Sequence, residues 1–408
     1  MKILLVTMYW PPAGGPGVQR PLKTAEQLAE LGHEVHVLAP DDPKWLHRDE
    51  RRPEPAGVAV HRARNLGPRA RRPAEELRGR RGLDRLAHRV PIVLRGLLVP
   101  DGSVLWNLTA APAAVRLVRR HGIDVVVTTS PPGSVHLAGL AAKRATSARW
   151  VADLRDSIAR HAHRRHDVRG EAALARIVAR RADAIVTAST AIADEVRALE
   201  PKGPVAVVEN GCDFDEFEGL EHRPDSRFRI THTGAFFGRR DPRPFLSALG
   251  GFDDQVVARF VGDFRSSDRA WVEEQGVGER VELVPYLPRR DALALQRDSE
   301  ALLLLIPEAD GRGKGVISGK VFEYLAAERP ILALVPPEGE AARLIRETGA
   351  GVVAPPDDDG AIREALQDLV DRWRDGSLGG AVLDEAARER LSRRARTKEL
   401  AELLGSLS

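Results

Sequence analysis

The run Gly311-Arg312-Gly313-Lys314-Gly315-Val316-Ile317-Ser318-Gly319-Lys320 ends where a helix is expected over Val321–Ala327. Flexible glycine backbone, free N–H groups and the positive end of a helix together favour a diphosphate. The run is not the P-loop of nucleotide hydrolases. That motif needs glycine five positions before Gly319, where Lys314 stands, and Ser or Thr where Val321 stands. Glu323, one turn into the helix, has two carboxylate oxygens that can accept from the paired hydroxyls of a ribose. The alternative for the whole run is a solvated loop with no ligand.

Two further groups carry comparable chemistry. Arg239 and Arg240 follow Thr233-Gly234-Ala235-Phe236-Phe237-Gly238, and guanidinium forks match phosphate oxygens. Asp153, Arg155 and Asp156 sit at the end of the predicted strand Trp150–Asp153, the edge where open α/β sheets bind ligands. A carboxylate there can take a hydrogen bond or a proton from a substrate hydroxyl. Equally, Asp156 can cap the next helix and Asp153 can pair with Arg155. Near the start of the chain, Gly14, Gly15 and Gly17 follow the first strand, after Met8-Tyr9-Trp10-Pro11-Pro12. Glycines there let a phosphate or sugar approach backbone. They are not a dinucleotide fingerprint, because they come late after the strand and Arg20 takes the third glycine's place.

Other polar clusters point to less. His161, His163 and His166 are interleaved with Arg164 and Arg165, cationic neighbours that oppose metal binding, so no metal is expected there. Cys212 is the single cysteine, which excludes a disulfide scaffold and a thiolate-based zinc or iron–sulfur site. The stretch 69–99 is arginine-rich and then apolar, a combination that can lie on anionic lipid or fold into a small subdomain of its own.

These residues need a scaffold, and the apolar pattern supplies it. Short apolar runs alternate with helical segments: Lys2–Thr7, Val35–Ala39, Val58–His61, Val125–Thr129, Trp150–Asp153 and Ala184–Ala188, then Val205–Glu209, Arg229–Thr233, Ala258–Val261, Val281–Val284, Ala301–Ile306, Ile331–Val335 and Gly351–Ala354. Strands apolar on both faces and separated by helices predict parallel sheets covered on each side. Thirteen are too many for one such sheet, so the expected fold is α/β with two Rossmann-like, doubly wound domains. The predicted division is 1–210, 211–385 and a C-terminal helix over 386–408 that crosses back to the first domain. Pro40–Arg95, rich in Pro, Arg and Gly, reads as an excursion from the first sheet.

Composition agrees with a globular protein of this kind. The chain has 408 residues, 43% of them hydrophobic, and a formal net charge of only +3. Bulk charge therefore does not mark a nucleic-acid binder, and aromatics at 5% leave little to interleave with the basic residues. The opening segment is too short for a signal-peptide core, and no run is long enough to span a membrane. The expected location is cytoplasmic.

The order and spacing of these segments resemble the GT-B glycosyltransferases, specifically the family 4 retaining nucleotide-sugar transferases. The opening strand with its Pro-Pro-x-Gly-Gly loop and Gly32-His33-Glu34-Val35 resembles the family's N-terminal signature. Asn210-Gly211-Cys212-Asp213 with Phe217 resembles its interdomain segment, and Lys320-Val321-Phe322-Glu323-Tyr324-Leu325-Ala326-Ala327-Glu328-Arg329-Pro330-Ile331 its nucleotide-sugar motif. The resemblance covers nearly the whole chain. It implies two domains facing a cleft, with the donor in the second and the acceptor mainly in the first.

Carried onto this sequence, the resemblance places Glu323 on the donor ribose and Ser318, Gly319 and Lys320 near the diphosphate. Arg240, or else Arg239, would neutralise the leaving group, which such enzymes commonly manage without a metal or other cofactor. The leaving phosphate itself would help deprotonate the acceptor on the same face, so no enzyme nucleophile is required. Asp156 falls near the acceptor-side polar residue, often histidine in the family, with Arg155 and Asp153 adjacent. The family's earlier glutamate, eight positions before the ribose-binding one, is Gly315 here, and Glu308 or Asp310 would have to stand in for it. The arginine usual after the glycine of the second domain's first strand is Ala235. These departures keep two other readings open, a nucleotide-sugar epimerase and a non-catalytic binding protein. The expected acceptor is a hydroxyl, on a glycan or a lipid-linked molecule, with peripheral membrane contact through 69–99.

Overall fold

The computed structural model describes residues 1–41, 47–67, 98–158, 169–236, 239–308 and 313–407. Most of the Pro40–Arg95 excursion and of 69–99, the three histidines His161, His163 and His166, and Asp310 lie outside the described residues.

The chain divides into two compact units, Met1–Glu209 with Thr397–Ser408, and Asn210–Arg396. The first holds a seven-stranded sheet in the order β3-β2-β1-β4-β5-β6-β7. Its strands are β1 (Lys2–Thr7), β2 (Glu34–Pro40), β3 (Val58–Ala63), β4 (Val125–Ser130), β5 (Arg149–Leu154), β6 (Ala184–Thr187) and β7 (Val205–Val207). The second holds six strands in the order β10-β9-β8-β11-β12-β13. These are β8 (Phe228–Thr233), β9 (Val256–Val261), β10 (Val281–Val284), β11 (Ala301–Leu305), β12 (Ile331–Leu334) and β13 (Gly351–Ala354). All pairings are parallel. Both orders reverse direction next to the first strand of the unit, β1 or β8, and α/β sheets bind ligands at the carboxyl ends beside such a switch.

Alternation along each strand explains why continuous apolar runs suit these sheets. In β11, Leu303 and Leu305 enter one core with Phe228, Phe245 and Phe260, while Leu302 and Leu304 enter another with Phe322, Tyr324 and Ile331. In β1, Ile3 and Leu5 face one side and Leu4 and Val6 the other. Each fully buried Leu or Phe stabilises by about 1.5–3 kcal/mol, so a strand buried on both faces retains little tolerance for polar replacement.

Among the described residues, thirteen α-helices accompany these strands. In the first unit they are α1 (Gln19–Glu30), α2 (Asn107–His121), α3 (His136–Ala145), α4 (Arg169–Arg181) and α5 (Thr190–Arg197). The second unit adds α6 (Arg243–Leu249), α7 (Ser266–Glu274), α8 (Arg289–Arg297), α9 (Gly319–Ala327), α10 (Glu340–Thr348), α11 (Asp359–Arg374) and α12 (Glu385–Leu391), and α13 (Arg393–Gly405) ends the chain. The single helix expected over the C-terminal segment is thus two, broken at Ser392. Cys212 intervenes there: its N–H donates to Leu391 O at 2.7 Å and its carbonyl accepts from Arg393 N at 2.9 Å. Ser392 is consequently extended, with φ −64° and ψ 145°. Beyond Thr397 the last helix belongs to the first unit, where Leu400 and Leu404 join the core of Ile3 and Leu5.

Candidate functional site

In the second unit the site begins where β8 ends. Gly234 has φ +117° and Gly262, after β9, has φ +123°. A Cβ on Gly262 would fall 3.0 Å from the Gly234 carbonyl carbon. A Cβ on Gly234 would lie 2.2 Å from Lys320 Nζ, so the ammonium closely approaches the backbone of this strand end. Lys320 is in the first turn of α9, whose leading N–H groups have no partner within the helix. Burial and the charge of Arg240 bring its pKa down to about 8, against the opposing pull of Glu323. Arg240 is itself buried and donates to Ala235 O at 3.3 Å. Ser318 occupies the N-cap position in an extended conformation, yet its hydroxyl does not cap the helix. That Oγ is buried and has no hydrogen-bond partner among the described residues.

Glu323 is fixed from two sides. Arg289 Nη1 donates to Oε2 at 2.7 Å and Gln296 Nε2 to Oε1 at 2.5 Å, both from α8. Gln296 also donates to Thr233 Oγ1 at 2.9 Å, and the Thr233 N–H donates to Tyr324 Oη at 3.0 Å. Arg289 also pairs with Glu216. Burial would raise the Glu323 pKa, but Arg289 and Lys320 outweigh it and hold the carboxyl below its usual range. The carboxylate is therefore ionised and oriented, with lone pairs left to accept from a diol. Glu308 is exposed in the loop after β11, and Arg239 is exposed beside Arg240.

The first unit uses its charged groups differently. Arg20, near the start of α1, donates to both oxygens of Asp153, from Nη2 at 2.8 Å and from Nε at 3.2 Å. It also donates to the carbonyls of Val208 and Glu209, each at 2.9 Å. Thr129 Oγ1 donates to Asp153 Oδ2 at 2.7 Å, so this buried carboxylate ties α1 to the sheet. Its partner is Arg20 and not the neighbouring Arg155. Arg155 instead reaches Ser130 O at 2.7 Å and Gly17 O at 2.8 Å, clamping the glycine loop to the end of β4. Within that loop Gly14 N–H donates to His47 O at 2.6 Å and Gly15 has φ +89°. At Gly17 a Cβ would come within 3.0 Å of the Tyr9 ring. Asp156, one residue past Arg155, is exposed.

The structure thus brings together Ser318, Gly319, Lys320, Glu323 and Arg240 around the start of α9 and the end of β8. Sequence reasoning missed Arg289 and Gln296. Both sit on one amphipathic helix, but in so arginine-rich a chain nothing local separates Arg289 from its solvated neighbours. Gln296 carries one usable signal: it is a polar residue on the apolar face of α8, beside buried Leu293.

The two all-parallel units, with a cationic helix start beside the first strand of the second, define the fold of the GT-B glycosyltransferases. Solved structures agree. The chain resembles sucrose-phosphate synthase from Thermosynechococcus elongatus, with a TM-score of 0.66 and 16% identity over 100% of this chain and 98% of that one. It also resembles HepE from Anabaena, in a structure described as a complex with UDP, with a TM-score of 0.67 and 15% identity over 100% of both chains. A third is α,α-trehalose 6-phosphate synthase from Burkholderia multivorans, with a TM-score of 0.61 and 13% identity over 100% of this chain and 96% of that one. No curated protein matches the sequence. Residues 14–211 match the family described as a glycosyl transferase 4-like domain. The solved structures share the GT-B fold with this chain, and the family match covers its first unit.

Proposed function

We propose that the protein transfers a sugar from a nucleoside-diphosphate sugar to a hydroxyl acceptor with retention of anomeric configuration. The observation that carries this reading is the pairing of two crowded cations, Lys320 and Arg240, with an ionised carboxylate, Glu323, across one helix start. Glu323 accepts from the ribose diol. Lys320, the Ser318 hydroxyl and the leading N–H groups of α9 hold the diphosphate. Arg240, with Arg239 nearby, stabilises the charge that grows on the leaving phosphate as the glycosidic bond breaks. Those cations do what a metal ion does elsewhere, so the reaction proceeds without one. Asp156 orients the acceptor hydroxyl and Glu308 the transferred sugar, and the loop of Gly14, Gly15 and Gly17 admits substrate to backbone. The leaving phosphate receives the acceptor proton on the same face.

The relative HepE has been seen with UDP-glucose, which makes uridine nucleotides the first donors to try. Among the described residues no helix is long and apolar enough to cross a membrane. A lipid-linked acceptor would then be met through peripheral contact of 69–99, read out by co-sedimentation with anionic vesicles. The decisive assay incubates the protein with nucleotide sugars and hydroxyl acceptors and reads the product's anomeric configuration by NMR. Retained configuration supports the proposal, and inverted configuration overturns it. Epimerised donor in the absence of acceptor would favour the epimerase reading instead.

A further inference from the structure

Among the described residues, His36, His61 and His121 form a cluster whose ring nitrogens, one from each, lie within 4.8 Å of one another. Their sequence separation hides them, but the fold aligns them. His36 is on β2 and His61 on the edge strand β3, where the register sets Leu38 opposite His61. Positions 36 and 38 share a face of the sheet, so both rings project to the same side. His121 is the last residue of α2, which packs over that face and ends in left-handed Gly122, with φ +63°. The rings stand close, His36 to His121 at 4.4 Å and His36 to His61 at 5.2 Å between centroids.

His36 Nε2 lies 3.0 Å from Glu34 Oε1, and a carboxylate can only accept, so the ring donates from Nε2. A neutral His36 then presents the lone pair of Nδ1, which lies 3.0 Å from His61 Nε2. That arrangement is the carboxylate–histidine pairing found behind metal-bound imidazoles, in which the outer carboxylate fixes the tautomer and raises the ligand's basicity. Nitrogen–metal bonds of about 2.0–2.1 Å in a tetrahedral site bring ligand nitrogens to about 3.3 Å apart, a spacing these rings reach with small adjustments. His61 and His121 are half-buried, which leaves a fourth position open to solvent. The carbonyl end of α2 adds a favourable potential for a cation. Arg120 and Lys2 are opposing charges nearby, and Glu34 Oε2 holds Lys2 at 3.2 Å.

We propose that His36, His61 and His121 bind a divalent transition-metal ion of the zinc class, with Glu34 positioning His36. The ion ties the edge strand β3 and the end of α2 to β2. Imidazole ligands favour zinc, nickel and copper over magnesium and calcium.

The test titrates untagged, metal-stripped full-length protein with Zn²⁺ by calorimetry, with Mg²⁺ as the control, and follows the melting temperature alongside. The expected result is one Zn²⁺ per chain, a raised melting temperature and no comparable uptake of Mg²⁺. His61→Gln and His121→Gln, both at half-buried positions, each weaken Zn²⁺ binding at least about tenfold, and Glu34→Gln weakens it by about 10–100-fold. Circular dichroism of the metal-free variants verifies that they fold. Absence of Zn²⁺ uptake by the wild-type chain overturns the proposal. So does uptake that survives the double substitution of His61 and His121.

Discussion

At the carboxyl ends of the first sheet, Arg20 and Arg155 are committed to the protein itself. Arg20 grips Asp153 and two carbonyls, and Arg155 grips Ser130 and Gly17. At the carboxyl ends of the second sheet, Lys320 and Arg240 lie close enough that Arg240 helps hold the Lys320 pKa down to about 8. Glu323, whose charge acts on Lys320, is shared with Arg289 and Gln296. The same kind of strand end thus spends its cations on internal hydrogen bonds in one unit and gathers them at a helix start in the other. Like charges gathered at a helix start favour the arrival of an anion. The comparison therefore assigns scaffolding to the cations of the first unit and ligand binding to those of the second.

The largest effect expected is on stability, in the first unit. Asp153→Asn strands the Arg20 guanidinium in a buried site and should cost about 3 kcal/mol, read by urea denaturation. Little change would mean that this pair is not the anchor of α1. Next comes catalysis in the second unit. Arg240→Ala and Lys320→Ala should each lower the transfer rate by about 10²-fold with the fold retained, read by circular dichroism. A stability loss like that of Asp153→Asn would erase the distinction between the units. Gln296→Ala leaves Glu323 its charge and removes one of its two supports. Nucleoside-diphosphate affinity should fall by about tenfold, measured by calorimetry, with circular dichroism unchanged. The smallest effect is on pH dependence. The anion binds charged Lys320, whose pKa in the free protein is about 8 and rises in the complex. Affinity should be greatest below that value and decline as pH rises through it, with proton uptake on binding near pH 8. Lys320→Arg, always charged, should flatten the profile.

Much of this was legible in the residues. The thirteen strands are marked by apolar runs because both faces of each sheet are covered, and a parallel strand has no polar side to blur the pattern. Lys320 and Glu323 could be read because glycines, a helix start and a carboxylate one turn later form a local motif. The Arg20–Asp153 pair could not, since 133 residues separate its members. Arg289 acquires its meaning only when α8 is laid beside α9. The histidine cluster shows the same limit: the adjacent His161, His163 and His166 attract notice in the sequence, while His36, His61 and His121 meet only through strand register. Helix continuity failed at Ser392 for a related reason, because the competing bonds come from Cys212, 180 residues away.

The claim that the second unit keeps its cations for a ligand is tested most directly by calorimetric titration of UDP, GDP, TDP and ADP into the wild-type chain and Lys320→Ala. The account predicts selective binding of one nucleoside diphosphate by the wild type and binding at least about tenfold weaker in the variant. Equal binding by both proteins, or none by the wild type, would contradict it.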